Sequence, residues 1–118
     1  MIEANGRQYH LKFNIERLKL VENALKRPII TIYTEHSGAF SISEMETIFR
    51  ICLKEDGANT FCSNKQASEI FRAALDTENG YMSVNNEISR QLNEDCPFLF
   101  PNVSSVLNTS QTEEQTEA

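Results

Sequence analysis

Residues 81–100 constrain this chain most. Tyr81, Val84, Ile88 and Leu92 recur at helical spacing, laying one apolar stripe that runs into Asp95-Cys96-Pro97-Phe98-Leu99-Phe100 before the chain turns wholly polar. Pro97 lacks a backbone N–H and disfavours helical geometry in the residue before it, so the helix stops there. An aromatic run after a helix either folds back to close a small core or is offered to a partner. Both outcomes describe an interaction domain.

The N-terminus carries the clearest turn. Residues 2–4 and 7–13 flank Asn5-Gly6, the dipeptide that best tolerates the positive φ angles of a two-residue type I′ turn. A hairpin on this turn places Ile2 opposite Tyr9. Tyr9, Leu11 and Phe13 alternate with Gln8, His10 and Lys12, so the side-chain pattern selects the same register. Asn14 then caps a helix over residues 15–26, whose inward stripe is Ile15, Leu18, Val21 and Leu25. Leu20 falls off that stripe and belongs either to a wider core, as general burial tendencies favour, or to a contact surface. Lys26 and Arg27 suit the negative helix end, and Pro28 closes it.

Residues 28–40 are read as an extended segment, because Ile29-Ile30-Thr31-Ile32-Tyr33-Thr34 has strand-like composition, followed by a turn at His36-Ser37-Gly38. Two further helices are expected over residues 42–54 and 64–78. Ser41 with Glu44, or Ser43 with Glu46, can form a capping box for the first, and Ser63 with Gln66 for the second. Met45, Ile48, Phe49, Cys52 and Leu53 make one apolar stripe, and Ala67, Ile70, Phe71, Ala74 and Leu75 another. Gly57 and Gly80 are placed at helix ends that need the left-handed conformation.

The expected fold class is therefore α+β, mainly α, with an N-terminal β-hairpin followed by a small bundle of about four helices. Residues 1–100 form a single globular domain on this reading. Residues 101–118 are rich in Ser, Thr, Asn, Gln and Glu, with only Val103, Val106 and Leu107 to bury, and are expected to be a disordered polar, acidic tail.

With 118 residues, 40% of them hydrophobic, the chain can build one small core. Its formal net charge is −6; residues 1–100 hold fourteen Asp and Glu against eleven Lys and Arg, and Glu113, Glu114 and Glu117 supply the other half of the excess. Scattered basic residues on an acidic chain argue against nucleic-acid binding. No apolar run approaches the roughly 20 residues of a membrane span, and no secretory leader pattern is present, so a soluble intracellular protein is expected. Cys52, Cys62 and Cys96 lack paired spacing and read as reduced, structural thiols.

Dedicated chemistry is poorly supported. Asp76-Thr77-Glu78-Asn79-Gly80 resembles the middle of a calcium loop, but with Gly80 in the sixth place the first and twelfth places fall to Leu75 and Asn86. A second frame, residues 54–65, ends on Lys65 where a bidentate Glu is required. A glycine-capped interhelical turn explains the first motif better. His10 lies on a polar strand face and His36 in a loop, with no nucleophile linked to either, and the four glycines are isolated at turns. Glu44, Glu46, Glu55 and Asp56 read as helix-start electrostatics and a solvated face. No enzyme, metal or cofactor is expected.

The order of parts does resemble a known family. A hairpin on N-G-R-x-Y-x-L-x-F, then S-I-S-E-M-E-T-I-F, N-K-Q-A-x-E-I, N-G-Y-M-S-V-N-N-E-I and D-C-P-F-L-F is similar to the small tail assembly chaperones of long, non-contractile-tailed bacteriophages and prophages of Gram-positive hosts. The resemblance covers about residues 1–100. It implies a self-associating, non-virion protein in the cytoplasm of the bacterial host that holds the helical tape measure protein soluble until tail tube subunits polymerise around it. The major tail protein is a second expected partner. It also implies that a longer frameshifted product can arise near the polar tail. Contact candidates are Phe98, Leu99 and Phe100, with Leu20 and Tyr33 behind them, against the competing reading that the aromatic run closes the core. The alternative function is a small phage or prophage regulatory module that binds a host factor; genomic position separates the two.

Overall fold

The computed structural model describes residues 2–100. The tail expected over residues 101–118 lies outside them. Asn5 and Gly6 adopt φ of 55° and 76°, which turns β1 (Ile2–Ala4) back antiparallel on β2 (Arg7–Leu11). Ile2 faces Tyr9 as the turn chemistry requires.

A strand the sequence did not announce completes the sheet. β3 (Leu53–Glu55) pairs antiparallel with β2, with Leu11 opposite Leu53 and Tyr9 opposite Glu55, giving the order β1-β2-β3. Leu53 and Lys54 were expected to continue a helix. Instead the main chain finds better partners across space: Lys12 N–H donates to the Cys52 carbonyl and Cys62 N–H to the Leu53 carbonyl, both at 2.9 Å. Leu53 is still fully buried, so its apolar character reported burial correctly but not conformation. Gly57 has φ 83°, yet it serves the turn after β3 rather than a helix end.

Among the described residues, five α-helices pack against the sheet and one another. Helix α1 (Ile15–Leu25) begins where Asn14 Oδ1 accepts the Arg17 N–H at 2.8 Å. Leu18 and Val21 are buried, whereas Ile15, expected inward, is 62% exposed. Helical side chains lean toward the N-terminus, so at the first helical position Ile15 overhangs the end of the core. Leu20 is 46% exposed, against the burial tendency that favoured the core. It lies about 200° around the helix from Leu18, which turns it away from the packed stripe.

Helix α2 (Ile29–Glu35) overturns the extended reading of residues 28–40. Ile29 and Ile32 are buried and Tyr33 packs beside them, an i, i+3, i+4 set. Pro28 enters in extended geometry, and Glu22 of α1 accepts the Ile29 N–H at 2.7 Å. Tertiary burial and this borrowed cap outweigh the strand preference of a β-branched run. The helix is the reason the bundle holds five rather than about four. The turn expected at His36-Ser37-Gly38 is present, with Ser37 and Gly38 at φ 57° and 86°.

Helix α3 (Ile42–Cys52) opens with the full capping box. Ser41 Oγ accepts from Glu44 N–H at 3.1 Å and Glu44 Oε1 from Ser41 N–H at 2.8 Å. Ser63 Oγ caps α4 (Asn64–Leu75) by accepting the Gln66 N–H at 3.1 Å, but the expected box forms only in half, because the Gln66 side-chain amide donates to the Tyr9 hydroxyl at 3.3 Å instead of returning to Ser63. Between α3 and α4, Phe49 and Phe71 meet edge to face with centroids 5.2 Å apart. Leu11 and Phe13 close this core from the sheet side, Met45 and Ile48 from α3, and Ile88 and Leu92 from the last helix, all buried. No helix among the described residues is long and apolar enough to cross a membrane.

Candidate interaction surface

The last helix and its aromatic end form the surface to be judged. Helix α5 (Gly80–Asp95) starts on Asn79, which takes the left-handed conformation at φ 63°. Gly80 was expected in that role and plays another. A Cβ there would lie 2.0 Å from the Leu75 carbonyl oxygen, so glycine is required for close approach of α5 to the end of α4. The motif that resembled a calcium loop is this tight turn. Along α5, Val84, Ile88 and Leu92 are buried, while Tyr81 keeps its ring at the surface and donates its hydroxyl to the Phe40 carbonyl at 2.7 Å.

The end of α5 is pinned to the start of α1. The Asp95 carboxylate accepts the Phe13 N–H at 2.9 Å through Oδ2 and the Gln91 side-chain amide at 3.0 Å through Oδ1. Lys12 Nζ lies 3.9 Å from it. The Cys96 thiol points at the Phe13 carbonyl, 3.7 Å away. Burial, with the Asp95 charge beside it, pushes that thiol up to about 11, so it stays protonated and able to donate. Burial also raises Cys52 and Cys62, and all three cysteines are free.

From this anchor the chain makes a single 3-10 turn, Pro97–Leu99. The aromatic run divides. Phe100 is half-buried and sets its ring edge against Tyr33 with centroids 5.1 Å apart; Tyr33 in turn lies 6.1 Å from Phe40. Tyr33 hydroxyl shares a 2.8 Å hydrogen bond with Ser89 of α5. Leu99 also packs on the core. Phe98 is 62% exposed. Of the five contact candidates, then, Tyr33, Leu99 and Phe100 close the domain, and Leu20 and Phe98 stand outward.

A cleft of about 630 Å³ was not foreseen. It opens between the hairpin tip and α4, with Ala4 and Arg7 on one wall and Ile70, Ala73 and Ala74 on the other. Ala73 stands outside the apolar stripe of α4, and only the position of the hairpin tip over that helix makes the space. Its rim is polar and mixed in charge, with Glu3, Arg7 and Glu69.

Charged groups elsewhere form local pairs. His10 Nδ1 lies 2.6 Å from Asp56 Oδ1 on the wet face of the sheet. Arg90 spans Glu87 and Glu94 on α5. Glu46 receives the Ser68 hydroxyl and lies 3.3 Å from Arg72 and 3.4 Å from Arg50. The Ser68 hydrogen bond, aided by the two guanidiniums against partial burial, lowers its carboxyl below the ordinary 4.5. Among the described residues, no group of three or more His, Cys, Asp or Glu is arranged to hold a metal ion. Comparison with protein-family models, curated proteins and solved structures finds no match to this chain.

Proposed function

We propose that this protein is a phage tail assembly chaperone that binds the tape measure protein non-covalently, as the order of sequence motifs implies. The observation that carries the reading is Phe98: a large aromatic, 62% exposed, held outward on a turn whose two preceding residues are bonded to Phe13. A displayed ring on a fixed backbone loses little freedom on binding, which favours affinity. Fully burying a Phe side chain stabilises a complex by about 1.5–3 kcal/mol, modest for one contact. A long helical client offering repeated i, i+3, i+4, i+7 anchors to many copies would add such contacts through avidity. Exposed Leu20 and Ile15 supply further apolar area on α1.

Self-association, work in the cytoplasm of a bacterial host and absence from the finished virion belong to the same proposal, as does contact with the major tail protein. The test is co-expression with the tape measure protein. The expected outcome is a soluble complex that co-purifies and a client that precipitates when expressed alone. Absence of both complex and solubility gain would count decisively against it.

A further inference from the structure

We propose that the outer edge of β1 and the facing side of α4 form a docking groove for an extended peptide whose central basic residue is flanked by apolar ones, bound as a strand added to the three-stranded sheet. The alternation of ladder hydrogen bonds fixes where β1 points its backbone. The Gln8 carbonyl accepts the Asp56 N–H and the Lys12 N–H donates to the Cys52 carbonyl, both at 2.9 Å, so even-numbered residues of β2 turn their backbone groups toward β3. Glu3 is the partner of Gln8 across β1 and β2. Its N–H and C=O therefore point away from β2, and neither has a hydrogen-bond partner among the described residues. The opposite edge is covered, because the Cys62 N–H donates to the Leu53 carbonyl and Phe61 bridges Lys54.

The open edge borders the cleft of about 630 Å³. Ile2 is buried and Ala4 half-buried, while Glu3 between them is exposed. A strand added antiparallel, with one residue opposite Glu3, sets that side chain outward beside Glu3 and turns its two neighbours into the cleft. There the wall of α4 is Ile70, Ala73 and Ala74, apolar and mostly small, which leaves room for two apolar side chains.

Charge selects the central residue. Glu3 and Glu69 have no ion-pair partner among the described residues, whereas Arg7, which also lines the cleft, lies 3.5 Å from Glu55. A Lys or Arg opposite Glu3 completes a cross-strand pair of opposite charge. The same charge disfavours two other occupants. A second copy pairing through β1 about Glu3 would place two Glu side chains directly opposite, the kind of repulsion that keeps edge strands from self-association. Residues 101–118 of this chain contain neither Lys nor Arg. Main-chain bonds to a sheet edge, with alternate side chains in a groove, are a recurring mode of peptide recognition. It takes an extended chain, whereas the client proposed above is helical, so this groove is independent of that reading.

The test titrates the full chain with the acetylated, amidated peptide Thr-Val-Lys-Val-Thr, read by amide NMR and hydrogen exchange. The expected result is fast exchange at the Glu3 amide in the free chain, slowed about fivefold or more at saturation, with shifts centred on residues 2–4, Glu69, Ala73 and Ala74. N-methylation of the peptide's Lys, which removes its N–H, and replacement of that Lys by Glu should each weaken binding about fivefold. Glu3→Lys should invert the preference, so that the Glu-centred peptide binds better, with unchanged amide shifts in α3 reporting an intact fold. A Glu3 amide that stays fast at saturating peptide would overturn the proposal. So would protection of Glu3 in the free chain, which means that this chain covers its own edge or, where protection rises with protein concentration, that a second copy does. Equal binding of the N-methylated or the Glu-centred peptide would overturn it too, since neither strand pairing nor charge would then select the occupant.

Discussion

Phe98 and Phe100 sit two residues apart, yet they belong to regions built on opposite terms. The seam that α5 makes with the rest of the domain is over-determined: Gly80 admits the Leu75 carbonyl, Tyr81 bonds Phe40, Ser89 bonds Tyr33, Asp95 bonds Phe13, and Phe100 closes on Tyr33. The turn that follows holds Phe98 outward. The contrast teaches that the seam's rigidity is what makes the exposed ring a defined feature of the surface. Stability and binding should then be separable by mutation across a distance of two residues.

The hardest way to break the seam is at its entrance. Gly80→Ala gains less than the roughly 1 kcal/mol that the exchange is worth in a helix interior, because Gly80 opens α5, and the new Cβ would have to displace the Leu75 carbonyl from a separation of 2.0 Å, an oxygen that is backbone. Overpacking of this kind costs typically 1–3 kcal/mol and more where backbone must shift. We expect a net loss of about 2–3 kcal/mol by urea denaturation; a neutral or stabilising result would mean that α5 is free to slide on α4. Asp95→Ala attacks the other end. It leaves the Phe13 N–H without its acceptor and removes the acceptor of the amide nitrogen of the largely buried Gln91. The expected cost is about 2 kcal/mol, with faster hydrogen exchange at Phe13 and Cys96 as the local signature.

Which parts of this were legible in the sequence follows from the range of the forces involved. Asn5-Gly6, Asn14, Ser41 with Glu44, and Ser63 act within four residues, and each placed its turn or cap correctly. Residues 29–35 did not, because their β-branched composition describes a local preference while Glu22 and the core decide the outcome. Leu53 and Lys54 failed for the same reason, the deciding partners being more than forty residues away in β2. At the surface, the C-terminal aromatic run stands out in the sequence, but it does not behave as one unit. Its division into an inward and an outward ring depends on where Tyr33 stands, and Tyr33 lay in the segment that was misread.

A subtler contrast concerns acid. Glu46 is held in the ionised form by Ser68, Arg72 and Arg50, so its carboxyl titrates lower folded than unfolded. A lowered value means that its contribution is present above the unfolded value near 4.5 and is lost as pH falls through the folded one. The difference in melting temperature between the parent and Glu46→Gln should therefore be largest near neutral pH and shrink steadily below about pH 4.5. A difference constant from pH 7 to pH 3 would remove the electrostatic account of this cluster.

The smallest stability effect should come from Phe98→Ala, and it is the most informative about function. A side chain 62% exposed gives up little buried area on truncation, so the change should stay within about 0.5 kcal/mol. Phe100→Ala removes the edge contact to Tyr33 at 5.1 Å and should cost more, about 1–2 kcal/mol for a half-buried ring with an aromatic pair. Client capture should rank them the other way. If Phe98 is the displayed anchor, its truncation lowers recovery of a co-expressed tape measure protein severalfold at unchanged melting temperature, while Phe100→Ala lowers recovery only as far as it unfolds the protein. Equal thermal losses in the two variants would show that Phe98 is held by the domain after all. Equal recovery of client would move the contact away from the C-terminal turn and toward the other exposed apolar side chains, Ile15 and Leu20 on α1, Ile42 on α3 and Met82 on α5.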